Sequence, residues 1–355
     1  MCDFPIEIPN MYKRLIRPIL FRVKPETIHH IIMWLMRAAH FIPCGRAVLR
    51  ALFSVKHPAL EREVFGVRFP NPVGLAAGFD KDAKVYRELS AMGFGFIEVG
   101  TITPKPQPGN PKPRLFRLPQ DKALINRMGF NNKGLDNALK NLRTRSYKTV
   151  LGGNLGRNTL TPNEQAPADY LKLFRSLYEY IDYFVVNISC PNVANLSCLQ
   201  NKENVREILE QLFEFRRGQD DYRPILLKIS PDLTWEQIDD MVEILMGTPL
   251  DGIVAVNTTT SREGLNTPKK TAAKLGNGGL SGAPLTKRAV EVVRYVHEKS
   301  KGCYPIIGVG GIMNEDDAVE MLRAGASLIQ VYTGYIYEGP MIAKKICKRI
   351  IKENL

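Results

Sequence analysis

The side chains best suited to acid–base chemistry lie in the segment NISCPN, residues 187–192. There, the carboxamides of Asn187 and Asn192 flank the thiol of Cys190. A free cysteine titrates at a pKa of about 8.5, so modest stabilisation of the thiolate would let Cys190 accept a proton near neutral pH. A small buried thiol is the ordinary alternative for any single cysteine.

Asparagines end several of the β-rich runs, although asparagine is a poor strand residue. Asn154, Asn187 and Asn257 all occupy such positions. Loop capping explains any one of them. If they converge with Asn126 and Asn192 on one site, their paired donors and acceptors match a flat ring rich in amide groups. We therefore favour a ligand for the set and capping for any single member.

Two lysines also stand at the ends of β-rich runs, Lys81 in FDK and Lys228 in LKIS. A buried ammonium is costly unless it meets an anion. The two lysines therefore indicate electron-rich cofactor atoms or a carboxylate substrate, with a structural ion pair as an equal alternative for each.

Glycine-rich turns follow the last two β-rich runs, in GVGG at 308–311 and in VYTG at 331–334. In many barrels these two loops bind phosphate, because backbone N–H groups without side chains can approach the anion closely. The segment GGLSG, which ends at Gly282, could add another amide. The phosphate could belong to a substrate or to a cofactor.

Eight β-rich runs alternate with helical stretches and would position these side chains. The runs are 73–75, 96–99, 150–154, 183–188, 225–229, 252–256, 306–309 and 328–331. This alternation predicts an α/β fold, a closed (β/α)8 TIM barrel with its chemistry at the C-terminal ends of the strands. A doubly wound open sheet is the competitor, but it would normally have one Gly-rich fingerprint after its first strand.

The segment before the barrel predicts two short helices that are apolar nearly all round. Helix 25–39 places one set of apolar residues on a single face and leaves Met33 and Trp34 outside it; that set is Ile28, Ile31, Ile32, Leu35, Met36 and Ala39. Helix 45–55 repeats the pattern. Residues 1–57 carry nine Lys or Arg against three acids. We expect a small helical extension that rests on an anionic membrane surface, with a cap packed on the barrel as the alternative.

The composition excludes several classes of protein. Hydrophobic residues make up 44% and charged residues 24% of the 355 residues, which is typical of a globular protein. The net charge of +13 suits an anionic partner, but the sequence has no aromatic-rich basic stripe, so we expect no nucleic-acid partner. No run approaches about 20 apolar residues, so nothing is predicted to span a bilayer. The six scattered cysteines form no CxxC pair, which predicts no metal site and a cytoplasmic location.

Eight motifs, in order from about Asn71 to Gly334, together resemble the dihydroorotate dehydrogenase family. They are GLAAGFDK, TPKPQPGNPKPRLFRL, INRMGFNN, NISCPN, NTT, GGLSG, PIIGVGGI and VYTG. The segment MYKRLIRPILFRVKPETIHH also resembles the extension of the quinone-linked, membrane-associated class, which the soluble classes lack. The resemblance implies a helical membrane and quinone-entry segment at 1–57 and an FMN-binding barrel at 58–355. It further implies a peripheral enzyme on the cytoplasmic face of the bacterial membrane.

The resemblance also implies which residues hold each ligand. Those for FMN are Ala77, Gly78, Lys81, Thr101, Asn154, Asn187, Lys228, Val256, Gly282, Gly311, Tyr332 and Thr333. Those for dihydroorotate are Lys81, Asn126, Arg127, Met128, Gly129, Phe130, Asn187, Asn192, Asn257 and Thr258. Those near a membrane quinone are His29, Arg117 and Tyr332. In the family, a base at the Cys190 position takes a proton from ring C5 while C6 delivers hydride to the flavin, giving orotate for pyrimidine (UMP) biosynthesis.

One position departs from the quinone-linked pattern. That class usually has serine where this chain has Cys190, and cysteine is typical of the soluble classes. We still predict a quinone acceptor, because the extension supplies a place for it. The alternatives are a soluble-class dihydroorotate dehydrogenase that uses fumarate or NAD, a flavin enzyme that reduces uridines in RNA, and a catalytically silent phosphate-binding barrel or membrane scaffold.

Overall fold

The structure, a computed structural model, describes residues 11–39, 42, 44–143, 149–188 and 202–355. Its strands are β1 Arg62–Val64, β2 Val67–Phe69, β3 Val73–Leu75, β4 Phe96–Ile102, β5 Leu115–Leu118, β6 Ala123–Asn126, β7 Val150–Leu155, β8 Tyr183–Asn187, β9 Ile225–Ile229, β10 Gly252–Ala255, β11 Gly279–Gly282, β12 Ile306–Val309 and β13 Leu328–Val331.

Its α-helices are α1 Arg17–Arg22, α2 Pro25–Ala39, α3 Gly45–Phe53, α4 Tyr86–Ser90, α5 Gly134–Leu142, α6 Ala166–Leu177, α7 Lys202–Arg217, α8 Trp235–Gly247, α9 Lys269–Lys274, α10 Thr286–Lys299, α11 Glu315–Arg323, α12 Thr333–Glu338 and α13 Ile342–Glu353. A π-helical turn, Tyr12–Ile16, precedes α1.

Eight parallel strands close into a barrel in the order β3, β4, β7, β8, β9, β10, β12 and β13, and β13 pairs with β3. The predicted (β/α)8 barrel is confirmed, and all eight predicted runs fall on barrel strands. The largest difference is at β4, which continues to Ile102 because pairing with β7 resumes after a register shift between Gly100 and Ile102.

The barrel strands are buried on both faces, as expected for a parallel sheet covered by helices. Side chains such as Ile97 and Val99 on β4 pack outward into the layer between strands and helices. Phe96 on the same strand packs inward with Phe69 and Tyr183, which fill the interior. This alternation gives the barrel a solid core and leaves the carboxyl ends of the strands for a site.

Two smaller sheets flank the barrel. β1 and β2 form an antiparallel pair. β5, β6 and β11 form an antiparallel sheet in the order β11-β6-β5, in which Asn126 at the end of β6 lies opposite Gly279. Sequence analysis did not predict this second sheet, whose strands are each only four residues long.

The extension is helical, as predicted, but the packed face of α2 only partly matches the predicted one. Met33 and Met36 pack against the core, whereas Ile31 and Leu35 are exposed. Met33, expected to lie off the apolar face, is therefore part of the contact, and Trp34 is 68% exposed. α3 ends at Phe53, two residues earlier than predicted, because Ser54 is extended.

Besides this apolar packing, a few polar links join the extension to the barrel. Glu26, in the first turn of α2, forms an ion pair with the nearly buried Arg114 at 2.8 Å. The hydroxyl of Tyr12 donates to the carbonyl of Ile336 at 2.7 Å, and Arg17 donates to the carbonyl of Tyr337 at 3.0 Å. Among the described helices, none combines the length and the apolar character needed to cross a membrane.

Candidate active site

A cavity lies at the carboxyl ends of the barrel strands, with the β5-β6-β11 sheet beside it. It contains about 1110 Å³ of empty space, part of it open to solvent. All the predicted FMN residues except Asn154 line it, namely Ala77, Gly78, Lys81, Thr101, Asn187, Lys228, Val256, Gly282, Gly311, Tyr332 and Thr333. Of the predicted dihydroorotate residues, the lining includes Lys81, Asn126, Met128, Gly129, Phe130, Asn187, Asn257 and Thr258.

Four of the residues predicted for FMN, for dihydroorotate or as the base are not part of this lining. Asn154 lies beneath it, fully buried. Arg127 turns away, because its guanidinium donates to the carbonyl of Pro113 at 3.1 Å and lies 5.3 Å from the centre of the Phe116 ring. Cys190 and Asn192 lie outside the described residues. The roles predicted for these four residues stay predictions.

The asparagines at the strand ends are bonded to one another. Asn187 Nδ2 donates to Asn154 Oδ1 at 3.1 Å and to Thr101 Oγ1 at 3.2 Å. Thr101 Oγ1 also donates to Asn154 Oδ1 at 2.5 Å, and Asn257 Nδ2 donates to Asn187 Oδ1 at 3.3 Å. These bonds connect four strand ends around the mouth of the barrel. Such a network fixes the orientation of each amide, as a site for a flat amide-rich ligand requires.

Two cationic side chains face the cavity. Lys228 is 6% exposed, and its Nζ lies 3.9 Å from Glu98 Oε1. Burial of the Lys81 ammonium, together with the positive charge of Arg114, lowers the pKa of Lys81 to about 8. Within the part of the chain that the structure describes, Lys81 has neither a hydrogen bond nor an ion pair. An anionic ligand would satisfy the charge of Lys81, which argues that the cavity takes one.

Two glycines bring backbone close to the other end of the cavity. Gly282 has a φ of +103°, and a Cβ there would lie 2.3 Å from the carbonyl oxygen of Lys122. Gly311 has a φ of +72°, and a Cβ there would lie 2.3 Å from Thr286 Cα. Thr333, the first residue of α12, has its Oγ1 2.8 Å from Ser281 Oγ. Backbone amides and hydroxyls without bulky neighbours are suited to a phosphate.

The residues predicted to neighbour a quinone lie between the extension and the barrel. The His29 ring on α2 is 5.1 Å from the Phe79 ring, which is 5.8 Å from the Tyr332 ring. Burial, with Lys81 nearby, lowers the pKa of His29 to about 3, so His29 is neutral at physiological pH. Arg117 donates to the carbonyl of Val23 at 2.7 Å and lies 4.5 Å from the Phe21 ring centre.

Sequence analysis missed three residues of this region. Phe79 connects His29 with Tyr332, and its presence in the motif GLAAGFDK was the available signal. Glu98, beneath the cavity, and Gln330, in its lining, are both buried in barrel strands. Their signal was a charged or amide residue inside an apolar strand, in FIEVGTI and LIQV, where such residues are rarely placed without a partner.

A closed (β/α)8 barrel with a cationic, amide-rich cavity at the carboxyl ends of its strands is the architecture of a (β/α)8-barrel enzyme. The cavity has room for a flat anionic ligand. The family model described as "Dihydroorotate dehydrogenase" matches residues 59–354. This chain therefore belongs to the dihydroorotate dehydrogenase family. Enzymes of this family are flavoproteins, and the paired amides, the two lysines and the glycine-rich end of the cavity fit a flavin with a phosphate.

Curated relatives extend the likeness through the N-terminal segment. The chain is 54% identical over 345 residues to a "Dihydroorotate dehydrogenase (quinone)" of Christiangramia forsetii, covering 97% of this chain and 100% of the relative. A protein of the same name from Nitrosospira multiformis is 47% identical over 349 residues, covering 97% of this chain and 97% of the relative. The solved structure of DHODH from Eimeria tenella in complex with ferulenol has a TM-score of 0.83 at 35% identity, covering 93% of this chain and 91% of that one.

Proposed function

We propose that this chain oxidises dihydroorotate to orotate in pyrimidine biosynthesis and passes the electrons through FMN to a quinone. The observation that carries the proposal is the convergence of Lys81, Asn126, Asn187, Lys228 and Asn257 on one cavity at the barrel mouth. It occurs in a chain whose relatives named dihydroorotate dehydrogenase (quinone) match it over nearly its full length.

The residues that would hold FMN divide by chemistry. Lys228 offers its ammonium to the polar edge of the ring, and Asn187 and Thr101, held in place by Asn154 from below, add polar surface beside it. Gly282, Gly311 and Thr333, beside Tyr332, offer the backbone and hydroxyl groups suited to its phosphate. When bound, FMN supplies the two-electron chemistry, as acceptor of hydride from dihydroorotate.

Dihydroorotate would lie against the remaining lining. The carboxamides of Asn126, Asn187 and Asn257, with Asn192, suit the donors and acceptors of its ring amides, and the Lys81 ammonium suits its carboxylate. The guanidinium of Arg127 is held by Pro113 and Phe116, so only the backbone of Arg127 would contact dihydroorotate.

Cys190 is the proposed proton acceptor. Hydride leaves C6 and a proton leaves C5, adjacent carbons, so a base on one face of the ring and the flavin on the other divide the work. The proposal takes its support from the position of Cys190 three residues after Asn187, whose side chain lines the cavity.

The extension would bring the quinone to the flavin from a membrane surface. Of the fourteen exposed large hydrophobic side chains among the described residues, ten lie between Met11 and Leu52: Met11, Leu15, Ile16, Ile19, Ile31, Trp34, Leu35, Ile42, Val48 and Leu52. Apolar faces of this kind among basic residues are typical of helices that lie in a membrane interface. We therefore propose peripheral attachment to the cytoplasmic face of the bacterial membrane, with residues 1–57 as the attached unit and His29, Arg117 and Tyr332 near the quinone.

An anaerobic experiment in two stages tests the proposal. Purified protein is first mixed with dihydroorotate while the flavin absorbance is followed, and the reduced protein is then offered a quinone, fumarate or NAD in separate samples. We expect dihydroorotate to bleach the flavin and the quinone to restore it fastest. Restoration by fumarate or NAD alone would support the soluble-class alternative, which Cys190 favours. A colourless protein that takes up no FMN would contradict the function.

A further inference from the structure

Glu98 is a carboxylate buried within the barrel, directly beneath the cavity. It lies on β4 and has no exposed surface. Its Oε1 accepts a hydrogen bond from Asn154 Nδ2 at 2.7 Å, and its Oε2 accepts one from Gln330 Nε2 at 2.6 Å. The Nζ of Lys228 lies 3.9 Å from Oε1. The carboxylate thus connects β4 with β7, β9 and β13.

Each partner of Glu98 either lines the cavity or is hydrogen-bonded to residues that line it. Lys228 and Gln330 line the cavity themselves. Asn154 uses its Nδ2 on Glu98, so its Oδ1 is directed to Thr101 and Asn187, which both line the cavity. Because an amide donates through its nitrogen and accepts through its oxygen, the carboxylate that takes the Asn154 nitrogen fixes the Asn154 oxygen toward Thr101 and Asn187.

Burying a charge at this position destabilises the fold, so folding by itself does not explain Glu98. Barrel interiors of this class are filled mainly by branched apolar side chains, and burying an ion is unfavourable unless it is paired and hydrogen-bonded. The interior around Glu98 contains residues such as Phe96, Val185 and Val254, which need no charge to pack. The free-energy cost of burying the Glu98 carboxylate therefore indicates that its charge acts on the ligand above it.

We propose that Glu98 is a positioning residue of the flavin site, which supplies the counter-charge of Lys228 and thereby sets the relative binding of oxidised and reduced FMN. This inference rests on the proposed function. Reduced FMN carries more negative charge than oxidised FMN, so Lys228 favours the reduced form and the nearby carboxylate opposes part of that preference. Glu98 thus holds the reduction potential below the value that Lys228 alone would give.

The substitution Glu98→Gln tests this, because it removes the charge and keeps nearly the same shape. We expect reduced FMN to bind about tenfold more tightly relative to oxidised FMN, which corresponds to a rise of about 30 mV in the two-electron potential. The potential is measured by equilibration with a redox dye under anaerobic conditions. A potential equal to that of the wild type would overturn the inference.

Two further variants separate charge from packing. Glu88→Gln removes a carboxyl that is 2% exposed in α4 and outside the cavity lining, and we expect it to leave the potential unchanged. The exchange Glu98→Gln with Gln330→Glu returns a carboxylate to the same cluster, and we expect the potential to fall back toward the wild-type value. A shift as large in Glu88→Gln, or no recovery in the exchange, would contradict the assignment to Glu98.

If Glu98→Gln does not fold, Gln330→Met serves instead. It removes one donor from the carboxylate and leaves the negative charge less compensated, so the potential should fall; no change would overturn the inference. A wild-type protein that binds FMN and is bleached by dihydroorotate, with these variants showing no shift, would refute this inference alone. A wild-type protein that binds no FMN would refute the proposed function as well.

Discussion

The barrel mouth buries polar side chains, whereas the N-terminal extension exposes apolar ones. At the mouth, polar side chains are buried and hold one another, as in the chain of bonds from Asn257 through Asn187 to Asn154 and Glu98. In the extension, apolar side chains such as Ile19, Trp34 and Val48 are exposed, and a few polar links attach the helices to the barrel. The mouth holds most of its polar side chains through contacts within the protein, whereas the extension exposes a surface suited to an apolar phase outside the protein.

The largest effect is expected at the mouth, from Lys228→Met. Loss of a preorganised donor toward developing negative charge costs about 10² to 10³ in rate, and Glu98 would lose its cationic neighbour. Anaerobic stopped-flow measurement of flavin reduction by dihydroorotate checks this. Lys287→Met is the matched control, because its side chain is 91% exposed on α10. Equal reduction rates in the two variants would show that a lysine at the mouth matters no more for flavin reduction than one on the outer surface of the barrel.

The next largest effect is expected in the extension, from Trp34→Ser combined with Leu35→Ser. These side chains are 68% and 49% exposed, so the fold should not need them. Loss of their burial in lipid should weaken vesicle binding by about 3 kcal/mol, roughly a hundredfold. Co-sedimentation with anionic vesicles measures the binding, and flavin reduction should be unchanged. Leu160→Ser is the control, since Leu160 is 95% exposed but lies in the connection after β7, outside the extension; equal losses in both variants would contradict the account.

A smaller effect is expected where the two regions meet, from Glu26→Gln. Burial acts to raise the pKa of Glu26, but the hydrogen bonds and charge of Arg114, with Lys112 and His30, outweigh it and lower the pKa below 4.5. The ion pair therefore stabilises the fold above about pH 4.5, and its contribution is lost as the pH falls through the lower folded-state pKa. We expect a cost of about 2 kcal/mol at neutral pH.

Thermal unfolding of the wild type and of Glu26→Gln as a function of pH measures this cost. The two curves should differ at pH 7 and converge in acid. A difference that stays constant down to pH 3 would show that the charge of Glu26 is not what holds the extension.

The smallest effect is expected from Cys190→Ser. Serine is a weaker acid than cysteine, so the acidic limb of the rate profile for flavin reduction should move to higher pH in the variant. Cys303→Ser, at an exposed position, is the control. Indistinguishable profiles for the wild type and Cys190→Ser would remove Cys190 from the role of base.

Much of the barrel and of its mouth was predictable because the signals were local. Each barrel strand is a short apolar run, and residues such as Asn187 and Asn257 end or directly follow such runs. The contacts of Glu98 with Gln330 were not predictable, because 232 residues separate them and only barrel closure brings them together. The packed face of α2 was predicted only in part, since a helix that is apolar nearly all round does not reveal which side meets the protein.

The most direct test of the central claim is a crystal structure of the protein with FMN and orotate. We predict a flat flavin ring across the barrel mouth with its polar edge at Lys228, and orotate between that ring and the sulfur of Cys190. A flavin bound elsewhere, or a Cys190 sulfur far from the orotate ring, would contradict the account.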